Sequence, residues 1–265
     1  MMLAGLQKTT LVDFPGIVAA TVFTRGCSFR CGFCHNPELV IPEQYQGNLI
    51  SEEVFFDFLL SRVGKLQGVC ITGGEPLLQL DIDRFISHIK ALGFKVKLDT
   101  NGSFPDRLKK IIQEGDVDYI AMDIKSPLNK YLTVTNFSDL GSGLGQDGQF
   151  PISNFQSNFK SQVPKSEKLK ARSYKLEANI KQSIDLIMNS GIDYEFRTTV
   201  CHPYHTVEDF KEIGKMIKGA RKYYIQNFVK SKHINQNLNF KPFSERGLKK
   251  SAKAVEKFVE KVDIR

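Results

Sequence analysis

The chain has 265 residues, 41% of them apolar and 25% charged, an ordinary composition for a globular protein with ample length to bury a core. No apolar run approaches the roughly 20 residues of a membrane span, and the N-terminus lacks the basic start, apolar stretch and small-residue cleavage site of a secretory leader, so a cytoplasmic protein with no membrane partner is expected. The net charge of +8 concentrates in residues 155–181 and 241–265, but neither segment interleaves aromatics with Arg, so both read as solvated surface and nucleic acid is not an expected partner.

Residues 17–23 (IVAATVF) form a continuous apolar run, the pattern of a parallel strand buried on both faces. Ser51 is placed as the N-cap of a helix through EEVFFDFLLSRV, with Val54, Phe55, Phe58, Leu59 and Val63 at its apolar positions. A second strand over 68–74, a helix over 81–92, a third strand over 94–100 and a helix over 105–115 closed by Gly115 follow. The alternation continues with a fourth strand over 118–125 and a helix over 176–191 whose inner face is Ile180, Ile184, Ile187 and Met188. A fifth strand over 193–200, a helix over 206–220 and a sixth strand over 222–229 come next. The last helix, over 244–262, turns Leu248, Ala252, Val255, Phe258, Val259 and Val262 inward. Residues 136–173 break the rhythm: polar and then Lys-rich, with neither period, they read as an insertion, a disordered surface loop in preference to a lid.

Six strand-then-helix units imply an α/β fold with a parallel sheet, either doubly wound or curled into a barrel. Ligands then bind at the carboxyl ends of the strands, and the polar clusters TRGC, TGGEP, DTNG, DIKSP and RTTVCHP all lie there.

Cys27-x3-Cys31-x2-Cys34 is the main chemical signal. Five cysteines, three of them within eight residues, make a poor disulfide framework and a good metal framework in a reducing compartment. Three thiolates on a loop after a buried strand suit an iron–sulfur cubane with one iron left uncommitted. Zinc competes less well, since only Cys31 and Cys34 form a paired spacing, with His35 as a candidate further ligand. Cys70 reads as a small core hydrophobe between Val69 and Ile71, whereas Cys201, near the ligand face, is a weaker candidate for a functional thiol. Gly73-Gly74-Glu75-Pro76 offers bare backbone and a carboxylate to an ammonium group, though it is also a tight turn. Asp99 and Asn101 in DTNG, with Asp123 and Lys125 in DIK, suit ribose hydroxyls and a carboxylate; Asx-Gly is equally a common turn. His202 and His205 read as an ordinary polar loop, with acid–base work as the alternative.

Taken together, these motifs resemble the radical S-adenosylmethionine (radical SAM) superfamily. More narrowly, KTTLVDFPG (8–16), FTRGCSFRCGFCHNPEL (23–39), ITGGEPLLQ (71–79), LDTNG (98–102), MDIKSPLNKY (122–131) and GIDYEFRTTVCHP (191–203) resemble the activating enzymes of glycyl radical enzymes. The nearest group is that of the anaerobic ribonucleoside-triphosphate reductase activating proteins, related to pyruvate formate-lyase activating enzyme. The resemblance implies one domain over 1–265 with its core over about 15–230: a partial (β/α)6 parallel barrel, the insertion 136–173 after the fourth strand, and a C-terminal helical extension over 241–265. It implies that Cys27, Cys31 and Cys34 hold a [4Fe–4S] cluster whose remaining iron takes the amino and carboxylate groups of S-adenosylmethionine. Gly73, Gly74 and Glu75 are implied to receive the ammonium, and Asp99, Asn101, Asp123 and Lys125 to line the ribose and carboxylate end. Arg197 is a further implied contact, and a monovalent cation is implied near Asp99 and Asp123. The activity this implies is reductive cleavage of S-adenosylmethionine and hydrogen abstraction from a glycine of a partner glycyl radical enzyme, with a low-potential donor such as flavodoxin or ferredoxin. A wide barrel mouth suits such a protein substrate. The competing readings are a radical enzyme modifying a small molecule or RNA, and a zinc-stabilised nucleic-acid-binding protein. The chain departs from the family pattern in the 136–173 insertion, in Cys201 where an apolar residue is expected, and past Val229, where no motif matches.

Overall fold

Eight strands make one sheet whose spatial order follows the chain in the computed structural model, which describes residues 1–40, 47–137, 165–230 and 239–265. β1 (Leu3–Thr10) runs antiparallel to β2 (Ala19–Thr24). From β2 onward each strand is parallel to the last: β3 (Gly68–Gly73), β4 (Lys95–Thr100), β5 (Tyr119–Asp123), β6 (Asp193–Val200), β7 (Tyr223–Asn227) and β8 (Val262–Ile264). β1 and β8 are the two edges, so the sheet does not close into a full barrel. The six expected strands are β2 to β7.

Two strands depart from the sequence reading. β1 adds a hairpin arm at one edge, where no strand was expected. At the other edge, α8 (Glu245–Glu256) ends where a helix to residue 262 was expected. There Gly219 N donates to the Phe258 carbonyl (2.8 Å) and Tyr223 N to the Lys261 carbonyl (2.9 Å), drawing residues 262–264 onto β7. The open edge of β7 needs backbone partners, and that requirement overrides the helical period.

Around the sheet run α1 (Pro37–Val40), α2 (Glu52–Leu60), α3 (Ile82–Ala91), α4 (Pro105–Glu114), α5 (Leu128–Thr135), α6 (Lys165–Met188) and α7 (Asp209–Met216). α2 starts as expected, with the Ser51 hydroxyl accepting from Val54 N at 3.2 Å. Ser51→Ala should cost about 1 kcal/mol, read as a lower denaturant midpoint with an unchanged slope. Its buried face differs from the expected one. Phe55, Phe56 and Leu59 point inward, while Val54 and Val63 are 58% and 54% exposed. Phe56 stacks on His88 of α3 with ring centroids 3.7 Å apart, and Val63 lies past the helix end, where the period no longer applies. α6 begins at Lys165 rather than near Leu176, so residues 165–173 of the expected insertion are helical; residues 138–164 lie outside the described residues. Of its anticipated inner face Ile180, Ile184 and Ile187 are buried and Met188 is half-buried, and Leu176 is buried with them. Among the described residues no helix is long and apolar enough to cross a membrane.

Along β4, β5 and β6 the side chains alternate between two unlike faces. Val96, Leu98, Ile120, Met122, Tyr194 and Phe196 share one apolar core with Phe85, Leu108, Ile111 and Ile180 of the helices. The other face is ionic: the in-register rows carry Lys97 and Tyr119, then Asp99, Ala121 and Glu195, then Asp123 and Arg197.

Candidate cofactor cleft at the strand ends

Thr24 at the end of β2 lies in register with Gly73 at the end of β3. Beyond them two loops are clamped together, Gly74 N donating to the Thr24 carbonyl (2.9 Å) and Glu75 N to the Gly26 carbonyl (2.7 Å). A Cβ on Gly74 would meet the Gly26 carbonyl group, its carbon only 2.6 Å away, so only glycine permits this approach. From Gly26 the chain enters the cysteine loop. The Arg30 guanidinium donates to the Cys27 carbonyl (2.6 Å), Arg30 N donates to the Thr135 carbonyl (2.7 Å), and Cys34 N donates to the Cys31 carbonyl (3.1 Å). Phe29 packs edge-on against Tyr131 and Phe137, and Phe33 against His205 and Phe240. Both phenylalanines are buried and shield the loop from water.

All three thiols line one open cleft of about 200 Å³, together with Gly73, Gly74, Asp99, Asn101, Asp123 and Lys125. Cys27 Sγ accepts from Phe29 N (3.3 Å) and lies 3.5 Å from Asn101 Nδ2. Burial pushes all three thiols up, Cys31 to about 12, so without a metal they are protonated and metal binding releases their protons. Neither Cys70 nor Cys201 lines the cleft. Among the described residues, no three His, Cys, Asp or Glu side chains converge on a point suited to one metal ion. The three thiols border one cleft, and three soft sulfur donors are the usual ligands of an iron–sulfur cluster.

The packing corrects two expectations and qualifies a third. Glu75 does not present its carboxylate to the cleft. It is fully buried, its Oε1 accepting from Thr100 Oγ1 (2.8 Å) and Leu77 N (3.1 Å) and its Oε2 from Asn101 N (2.7 Å). It thus staples the GGEP turn to the DTNG loop; burial pushes its pKa up to about 7 against the pull of these three donors. Cys70 is fully buried in the core as expected, but its Sγ turns to the ionic face, 3.7 Å from Lys97 Nζ. His205 is no ordinary loop residue. Cys201 N donates to its Nδ1 (3.2 Å), so Nε2 carries the hydrogen and donates to the Lys125 carbonyl (2.8 Å). His202 is exposed and stacks on Phe243 at 4.2 Å, while Cys201 sits in an apolar cluster with Phe33, Phe228 and Phe240.

The remaining expected residues do come together. Asp123 accepts from Arg197 Nε (2.9 Å) and Lys125 Nζ (3.0 Å), and Asp99 from Arg197 Nη2 (3.2 Å) and Lys97 Nζ. Burial alone would raise both carboxyls; Arg197 with Lys125 and Lys97 outweighs it and holds them below the usual carboxylate range. Burial would likewise lower Lys125, but Asp123 holds it above the ordinary lysine value. Arg197 stands behind the cleft wall rather than on its lining. Lys97 and Glu195, absent from the sequence-based set, belong to the same ionic face; the polar alternation in KVKLDT and DYEFRTT was the signal for them.

Residues 21–140, which carry the cysteine loop, the GGEP turn, DTNG and DIK, match the Radical SAM superfamily model. That match spans 120 of the chain's 265 residues. Over its whole length the chain is 26% identical to a protein of Methanocaldococcus jannaschii named as a glycyl-radical enzyme activating enzyme, covering 95% of it. It is 34% identical over 140 residues to the pyruvate formate-lyase-activating enzyme of Listeria monocytogenes, a match spanning 48% of this chain and 55% of that one. Among solved structures, Streptococcus suis SuiB bound to S-adenosylmethionine matches with a TM-score of 0.57 at 12% identity, over 91% of this chain and 48% of that one. TYW1 with a lysine-pyruvate adduct bound matches with a TM-score of 0.54 at 13% identity, over 90% and 72%. These two likenesses show a shared fold, here an open, mostly parallel α/β sheet.

Proposed function

We propose that this protein is a radical SAM enzyme that binds a [4Fe–4S] cluster and S-adenosylmethionine and abstracts hydrogen from a glycine of a partner glycyl radical enzyme. The observation that carries this reading is that three thiols and the bare backbone of Gly73 and Gly74 share one cleft at the strand ends. The donor set fits a cubane: three soft sulfurs, an N–H donor on Cys27 Sγ, and no fourth cysteine on the cleft. Cys27, Cys31 and Cys34 would hold the cluster and leave one iron open to S-adenosylmethionine. The backbone of Gly73 and Gly74 would accept hydrogen bonds from its amino group, and Asp99, Asn101, Asp123 and Lys125 would face the ribose and carboxylate end. When bound, the two cofactors supply reductive carbon–sulfur cleavage and hydrogen-atom abstraction. The chain's own part is to position them and exclude water, with Phe29 and Phe33 packed around the cysteine loop and His205 fixing the backbone of Lys125.

The class of partner is supported by the relative from M. jannaschii, whose match spans the whole chain. Within that class the substrate is an anaerobic ribonucleoside-triphosphate reductase, on the strength of the motifs at 8–16, 23–39 and 122–131. A flavodoxin or ferredoxin in the cytoplasm delivers the electron.

Cys31→Ala tests the site. Anaerobically reconstituted, the variant should lose the visible absorbance of the cluster and form 5′-deoxyadenosine only at background, while its apo form keeps the wild-type far-UV circular dichroism. Sustained 5′-deoxyadenosine formation by this variant would sink the assignment. The partner is tested by mixing the reduced wild type with candidate glycyl radical enzymes and recording electron paramagnetic resonance. A glycyl doublet on the anaerobic reductase is expected; a doublet on pyruvate formate-lyase alone would overturn the finer choice.

A further inference from the structure

The carboxylate pair at the heart of the ionic face already has its cations. Asp99 and Asp123 stand on neighbouring strands, and Arg197 lies in register with Asp123 on the next. Each of the four carboxylate oxygens meets a cationic donor. Oδ1 of Asp99 takes the Lys97 ammonium and Oδ2 takes Arg197 Nη2 (3.2 Å); Oδ1 of Asp123 takes Arg197 Nε (2.9 Å) and Oδ2 takes Lys125 Nζ (3.0 Å). Ala121, in register between Asp99 and Glu195, is small enough to let the guanidinium span the two aspartates.

A second layer holds Arg197 from behind. Glu195, 1% exposed, lies 3.9 Å from Arg197 Nη1 and accepts from the Tyr119 hydroxyl (3.0 Å) and from both Nη atoms of Arg265 (3.2 Å each). The ionic face thus sets Lys97, Lys125, Arg197 and Arg265 against Asp99, Asp123 and Glu195, with Asp13 at its margin accepting from Thr21 Oγ1 (2.6 Å). An added metal cation would find every oxygen of Asp99 and Asp123 already committed to a cationic donor. The monovalent cation that the sequence resemblance implied near Asp99 and Asp123 does not fit here.

We propose that the Arg197 guanidinium is the built-in counter-cation of this site, so that the protein binds its nucleotide without potassium or sodium. The nucleotide clause rests on the function proposed above; the claim about the carboxylate pair does not. Arg197 is a positioning residue: it fixes Asp99 and Asp123, and Lys125 presents its ammonium at the cleft lining, where an anionic group of a ligand meets it.

The test is thermal melting of the full apo chain in potassium, sodium or choline chloride at equal ionic strength. Wild type and Arg197→Lys, which keeps the charge, should melt at the same temperature in all three salts. Arg197→Ala opens the carboxylate pair and should gain a saturable stabilisation by potassium or sodium over choline. A potassium- or sodium-selective rise in the wild-type melt would overturn the proposal, as would an Arg197→Ala melt that is indifferent to the ion. Should Arg197→Ala not fold, the wild-type and Arg197→Lys melts decide alone. In a second arm, the S-adenosylmethionine affinity of reconstituted wild type should be equal in potassium and choline, whereas that of Arg197→Ala should fall about tenfold in choline and recover in potassium. A wild-type affinity that needs potassium overturns the proposal. Complete absence of nucleotide binding refutes the proposed function instead and leaves the apo melts to judge the counter-cation.

Discussion

Gly74→Ala should lower stability by about 3 kcal/mol, the upper part of the range for forcing an extra carbon into a packed site. The added methyl group would overlap the Gly26 carbonyl, with backbone rather than a yielding side chain on the far side. Relief requires separating the two loops, which breaks the bonds from Gly74 N to Thr24 and from Glu75 N to Gly26. Because Gly26 is the residue before Cys27, the same displacement moves the cysteine loop. The variant should therefore also incorporate less iron on anaerobic reconstitution, at a temperature where it is still folded. Urea denaturation of the apo protein measures the first effect and iron content the second. A midpoint within about 0.5 kcal/mol of wild type would mean that the clamp is not as tight as the packing indicates.

Glu75→Ala should be comparably damaging, by about 3–5 kcal/mol near pH 5, for a different reason. It strands three buried donors, Leu77 N, Asn101 N and the Thr100 hydroxyl, and leaves a cavity where the side chain was. The penalty should depend on pH with a definite sign. Folded Glu75 titrates near 7 and a free glutamate near 4.5, so between these values the folded state binds more protons than the unfolded one. Stability contributed at this position is therefore largest below about 4.5, falls as pH rises toward 7, and is level above it; the full drop is about 3 kcal/mol. The variant lacks this group, so the gap between wild type and Glu75→Ala should narrow from pH 5 to pH 8. A gap that stays level over that interval would show that the carboxyl is ionised throughout and that its three donors outweigh its burial.

Much of the fold was legible because the relevant signals are local. Six short apolar runs separated by helical periods mark β2 to β7, and the polar clusters fall at their carboxyl ends. The errors fall where a neighbour competes with the period. Residues 262–264 continue an amphipathic pattern, yet they serve the open edge of β7. Val54 has the right spacing for the core, but Phe56 takes the inward place because His88 and Phe85 of α3 offer it aromatic partners. Residues 165–173 are too Lys-rich to suggest a buried helix, yet they are the outer end of α6, and residues 167–173 are exposed or half-buried.

The candidate site divides along the same line. The linear sequence alone determined the cysteine loop, the glycine turn and the strand ends that carry DTNG and DIK, since three thiols within eight residues, or two glycines after a strand, constrain chemistry within a few bonds. Only the tertiary structure decided which charged groups face a ligand and which are used up internally. Arg197 and Asp99 are 98 positions apart and Glu75 and Asn101 are 26, so their pairing depends on strand order and register rather than on any local pattern. A buried charge must find its partner wherever the fold brings one, and that search is settled in three dimensions.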